Sequence, residues 1–93
     1  MRQQSGQLTP PRRIHPRLAW QAIQGEVVVL DLESGRAVGL NEAGSFLWCR
    51  LEDHSDDGLA EDLAAAYGLP AERARQDVEA YLTLLRERRF IVV

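Results

Sequence analysis

Ninety-three residues, 45% hydrophobic and 27% charged, read as one soluble globular domain, too short for a deep enclosed active site because it buries only about 60% of its unfolded surface. No apolar run approaches the ~20 residues that cross a bilayer, no secretory segment is read, and the single Cys49 excludes an internal disulfide, so a cytoplasmic protein off the membrane is expected. The net charge of −3 is uneven: residues 1–17 hold four arginines and no acid, whereas the rest hold seven arginines and all 14 acids, a −7 field that repels phosphate backbones and disfavours nucleic acid.

The opening MRQQSGQLTPPRRIHPR combines polar residues, prolines and arginines with few large apolar side chains, and is expected to be a flexible N-terminal tail over residues 1–17. The folded domain is then residues 18–93. LAWQAI alternates apolar positions, Gly25 supplies a turn, and EVVVLD is rich in β-branched residues, which predicts a hairpin. Ser34-Gly35 forms a second turn, and Arg36, Ala37, Val38, Gly39 and Leu40 follow as a short third strand. Asn41 has the side chain of a helix cap, Glu42 suits the first turn, and Ala43, Phe46, Leu47 and Leu51 share one face of the first helix. Trp48 lies at the margin of that face. Ser55 caps a second helix whose Leu59, Leu63 and Tyr67 recur every four residues, with Gly68 as its left-handed stop. Pro70 opens a third helix reaching about Arg88, before FIVV closes the chain as a short strand or a packed tail.

The third helix carries an apolar arc wider than one core contact requires. Ala71, Ala74, Val78, Tyr81, Leu82 and Leu85 cluster on one side, and Ala80 and Leu84 extend the arc. The helix is therefore either sandwiched between neighbours or edged by an open apolar groove.

Little in the sequence supports catalysis. His15 and His54 have no companions at metal-ligand spacing, so no metal is expected. Cys49 reads as a small buried thiol rather than a nucleophile. There is no lysine and no phosphate-binding glycine loop, so no nucleotide cofactor is expected either. Trp20, Phe46, Trp48, Tyr67 and Tyr81 occupy positions that favour a core. What remains is architecture: an α+β, winged-helix-like domain with a three-stranded antiparallel sheet followed by three helices. Its open readings are a peptide-binding module, a winged-helix DNA-binding regulator and a dimerisation module that would make a homodimer through an edge strand.

The order of EVVVLDLESGRAVGLNEAGSFLW, LAEDLAAAYGLP and DVEAYLTLLRERRFIVV resembles the PqqD-like family of peptide-recognition elements over about residues 18–93. The resemblance rests on Leu40, Asn41 and Gly44 as LN-x-x-G with Trp48 following, on Tyr67-Gly68, and on Asp77-Val78. It implies a non-enzymatic domain without metal or cofactor that binds the leader of a ribosomally made precursor peptide as an added strand. The leader is then presented to a modifying enzyme, a radical SAM protein or a leader peptidase. The implied peptide site is the edge strand Arg36 to Leu40 with the facing helix residues Ala74, Asp77, Val78, Tyr81 and Leu84 or Leu85. The pathway stays open among pyrroloquinoline quinone, a lasso peptide or another product, such as that of a radical SAM enzyme.

Overall fold

A computed structural model of the chain describes residues 11–92. The elements run β1 (Arg13–Ile14), β2 (Leu18–Ile23), β3 (Glu26–Asp31), β4 (Ala37–Gly39), α1 (Glu42–Trp48), α2 (Asp56–Tyr67), α3 (Ala71–Glu87) and β5 (Ile91–Val92). Strands β2, β3 and β4 form an antiparallel meander in that spatial order, and β1 pairs separately with β5. The domain is thus α+β, a three-stranded sheet followed by three helices, as its sequence pattern predicts.

Local chemistry sets the boundaries. Gly25, at φ +82°, and Gln24, at +53°, make the two-residue turn between β2 and β3, which needs left-handed backbone at both positions. Asn41 Oδ1 accepts from the Gly44 N–H at 2.7 Å, and Ser55 Oγ accepts from the Gly58 N–H at 3.0 Å, so both helix starts are capped by the expected residues. Gly68 ends α2 in the left-handed conformation. Pro70 is the residue before α3 rather than its first residue.

The inner face of the sheet and the buried faces of the helices share one core. Val27, Val29, Leu47, Leu51, Leu59, Leu63, Val78, Leu82 and Leu85 are buried in it. Trp48 is also buried, edge-on to both Trp20 and Phe90, which assigns the tryptophan left at the margin in the sequence to the core. Cys49 is exposed, contrary to the expected buried thiol, because the helical step from Trp48 turns it to the solvent side.

The expected tail is not one from residue 11 onward; residues 1–10 lie outside the described residues. Arg12 is buried, with Nη1 donating to the carbonyls of Leu51 at 2.7 Å and His54 at 2.9 Å and Nη2 paired with Asp56. Arg17 donates to Asp31 and to the carbonyls of Arg88 and Arg89 at the end of α3. Composition misleads here because the segment is held by guanidinium groups reaching buried or terminal carbonyls rather than by apolar burial. Its β1 gives FIVV a partner, so Ile91–Val92 forms a strand.

Candidate functional site: an open strand edge beside an apolar cleft

Strand β4 is the last strand of the sheet, and the hydrogen-bond phase shows which of its groups are open. The Asp31 N–H donates to the Arg36 carbonyl at 2.8 Å, and the Leu40 N–H donates to the Val27 carbonyl at 2.9 Å. Antiparallel residues alternate the side to which they direct both backbone groups. Arg36, Val38 and Leu40 therefore face β3, while Ala37 and Gly39 direct their N–H and C=O outward, where β4 has no neighbouring strand among the described residues. Side chains alternate as well: Val38 lies opposite buried Val29 on the inner face, whereas Ala37 and Gly39 lie opposite exposed Leu30 and Val28 on the outer face.

The edge is anchored through the start of α1. Buried Ser45 accepts from the Val27 N–H at 2.9 Å and donates to the Leu40 carbonyl at 3.3 Å, joining α1 to β3 and to the residue after β4. Gly44 is a close-approach glycine. A Cβ there would lie 3.0 Å from Asn41 Oδ1 and 3.5 Å from the Tyr81 ring. Its carbonyl accepts from the Tyr81 hydroxyl at 2.8 Å, so LN-x-x-G turns the chain out of β4 and ties that turn to α3. Partial burial of Tyr81, reinforced by nearby Cys49, raises its phenol well above the ordinary range and keeps it a protonated donor.

Directly beyond β4, starting at Asn41, an open cleft of about 470 Å³ runs between the helices. Asp77, Ala80, Tyr81 and Leu84 of α3 form one wall, Ala43, Gly44 and Leu47 of α1 another, and Leu63, Tyr67 and Leu69 the end. Phe46 stacks edge-on with Tyr67, and the Arg50 guanidinium lies 3.7 Å from the Phe46 ring centroid, which stiffens the side nearest α2. Tyr67 donates to Glu42 at 3.3 Å; burial and then the Glu42 charge raise its pKa. A larger cleft, of about 620 Å³, lies at the β1–β5 end, but its Arg12 and Asp56 are already paired with each other and it adjoins neither open edge of the meander.

The predicted site divides along α3. Asp77, Tyr81 and Leu84 line the cleft, and Leu84 remains 42% exposed. Ala74, Val78 and Leu85, at 0%, 2% and 2% exposed, point into the core and are not groove residues. At about 100° per residue, Ala74, Val78, Leu82 and Leu85 form one stripe, and Asp77, Ala80 and Leu84 form a second roughly 120° away. The wide apolar arc is thus a core face with a groove at its edge. Arg36 is exposed beside the strand, and Asp77 is paired with Arg73 at 3.2 Å. The sequence reading missed the walls supplied by α1, Leu63, Tyr67 and Leu69. Tyr67 carries a signal, an aromatic ending a leucine stripe, but that pattern points to the core, whereas the side chain is 37% exposed and lines the cleft.

The family model for the coenzyme PQQ synthesis protein D (PqqD) matches residues 26–91, well over half the chain. The chain belongs to the PqqD family. Two solved structures are similar to this PqqD-family chain. One is TbiB1 in complex with the TbiA(beta) leader peptide, 25% identical with a TM-score of 0.78, covering 85% of this chain and 93% of that one. The other is a lasso peptide synthetase B1 complexed with its leader peptide, 28% identical with a TM-score of 0.79, covering 88% and 98%. No curated protein sequence matches the chain. Among the described residues no helix is long and apolar enough to cross a membrane, and no three His, Cys, Asp or Glu side chains are grouped to hold a metal.

Proposed function

We propose that this chain is a non-enzymatic adaptor that captures the leader segment of a ribosomally made precursor peptide and presents it to a modifying enzyme, a radical SAM protein or a leader peptidase. The leader adds as a fourth strand on β4. The observation that carries the reading is the adjacency of two features: outward backbone groups on Ala37 and Gly39, and the apolar cleft that opens where β4 ends. The two similar solved structures are both complexes with leader peptides, which supports a peptide ligand for this relative.

The physics fits this use. A strand laid along β4 gains up to four backbone hydrogen bonds, each about 0.5–1.5 kcal/mol net, and these fix register without reading sequence. Alone they do not offset association costs of roughly 4–15 kcal/mol. An apolar anchor is therefore required, worth about 1.5–3 kcal/mol when fully buried, and the cleft beside Tyr81 and Leu84 supplies its pocket. Residues 11–92 hold 10 arginines and 14 acids, a net −4 that favours a basic leader over a phosphate backbone.

Titration of the purified chain with leader segments of precursor peptides encoded near its gene tests the reading. Amide resonances of residues 36–40 and of the cleft-facing turns of α3 are expected to shift. No binding at about tens of micromolar, roughly −6 to −7 kcal/mol, and no such shifts would overturn it.

A further inference from the structure

Gly39 is the last residue of the open edge strand, yet the fold makes no use of its being glycine. Its φ is outside the left-handed region, and a Cβ built there meets no atom within 4 Å. Gly25, Gly35 and Gly68 differ in having positive φ, and Gly44 in being crowded by Asn41 and Tyr81. Within a strand, glycine is less stable than alanine, and one without a bulge or a packing reason marks a place where another chain comes close.

The surroundings specify what comes close. Gly39 pairs with Val28 and Ala37 with Leu30, so the two residues with outward backbone groups also carry small side chains, or none, on the outer face. Beyond them lies an apolar surface: Val28 is 39% exposed, Leu30 37% and Ile23 54%, around a shallow cleft of about 350 Å³. A residue beside Gly39 in an added strand projects onto this same face, whereas its neighbour beside Val38 projects inward toward the α3 cleft. The missing Cβ leaves the first side chain free to lie across the glycine onto Val28. Aromatic side chains laid across a cross-strand glycine are a known means of stabilising such positions.

We propose that Gly39 is a specificity-determining position: the leader places a large apolar side chain, preferentially aromatic, beside Gly39 on the outer face of the sheet. This rests on the strand-addition reading and extends it to the substrate. The leader segment is read on both faces, with large apolar residues at adjacent positions rather than on one face only.

Random peptides of about twelve residues, long enough to form a strand, are displayed and selected against the full chain. The recovered binders are expected to carry adjacent large apolar residues. Gly39→Val should keep or raise the thermal midpoint and weaken those peptides about tenfold or more, the effect of losing one apolar contact. Reducing the outer-face residue of the peptide to alanine should restore much of the binding to Gly39→Val while weakening binding to the wild type. Ala37→Pro, which removes an outward N–H, is the reference variant, with its fold checked by thermal melting. If Gly39→Val binds the selected peptides as the wild type does while folded Ala37→Pro does not, strand addition stands and the Gly39 subsite is overturned. If neither folded variant affects binding, strand addition itself fails and the subsite with it.

Discussion

Among the described residues the meander has two open edges, and only one of them stands beside a cleft walled by helices. Strand β2 offers six residues, LAWQAI, without a charge or a proline; β4 is three residues long and flanked by Arg36. By length alone β2 is the better template for pairing. Its outward groups follow from the same ladder phase: the Leu32 N–H donates to the Arg17 carbonyl, so Ala19, Gln21 and Ile23 face β3 while Trp20 and Ala22 face away. What β2 lacks is a wall. Beside β4 stand the start of α1 and the Tyr81–Leu84 side of α3, and these supply the pocket that backbone pairing cannot. The difference separates availability from selectivity: an unpaired edge invites any strand, and a recognition site also needs a surface that reads its side chains.

Substitutions at each edge and along α3 test this contrast. The largest effect is expected in the helix that makes the wall. Leu82→Ala, at a site 1% exposed, should cost about 2–5 kcal/mol of stability in denaturant unfolding. Leu84→Ala, two residues on and turned toward the cleft, should change stability by no more than about 0.5 kcal/mol yet weaken leader binding by about tenfold, read by calorimetric titration. Equal stability losses at the two positions would show that the cleft is core. Next, Ala37→Pro should lower leader affinity about tenfold, the equivalent of one or two backbone bonds, whereas Ala22→Pro on the β2 edge should leave it unchanged. If Ala22→Pro weakens binding instead, the edges have been assigned the wrong way round.

Smaller effects concern how each edge is held. Tyr81→Phe removes the hydrogen bond to the Gly44 carbonyl and should cost about 1 kcal/mol of stability, with a matching loss of leader affinity if the cleft loosens. Because the Tyr81 pKa is raised, the stability tied to its neutral form is fully present below the ordinary tyrosine range and is lost only as pH rises through the folded-state value. No change in the cleft near neutrality is therefore expected. At the end of β3, opposite the start of β2, the Asp31 carboxyl is held low. Partial desolvation acts to raise its pKa, but the Glu33 N–H, the Arg17 side chain and the Ser34 N–H, with the Arg17 charge, together outweigh it. Its contribution is present above the ordinary aspartate range and is lost as pH falls through the lowered value. Asp31→Asn should accordingly flatten the acid limb of the thermal midpoint against pH while leaving leader binding at neutral pH unchanged.

Much of the fold was legible because it rests on local chemistry. Asn41, Ser55 and Gly68 announce helix ends through groups they satisfy themselves, and the β-branched run of EVVVLD needs no distant partner to read as a strand. The site was legible only in part. Strand β4 and the cleft-lining Asp77, Tyr81 and Leu84 follow from pattern and resemblance, but pattern does not separate them from the buried Ala74, Val78 and Leu85, because helical periodicity shows an apolar arc without showing where the core ends and the groove begins. That division depends on how α1 and α2 pack against α3. Ser45 and Arg12 were missed for a related reason: a buried hydroxyl bridging β3 and Leu40, and an arginine reaching the carbonyls of Leu51 and His54, act through partners far away in sequence and leave no periodic trace.

The short β1–β5 ladder sets Arg13 directly across from Val92, so the two outermost strands of the described residues end about one strand spacing apart, roughly 5 Å. A unit whose outermost strands lie side by side can be spliced into a surface loop of another protein without prising that loop open, and it can equally be joined to a partner at either end. The orientation of such a fusion is set by the same two strands, on the side of the molecule where Arg17 holds the end of α3.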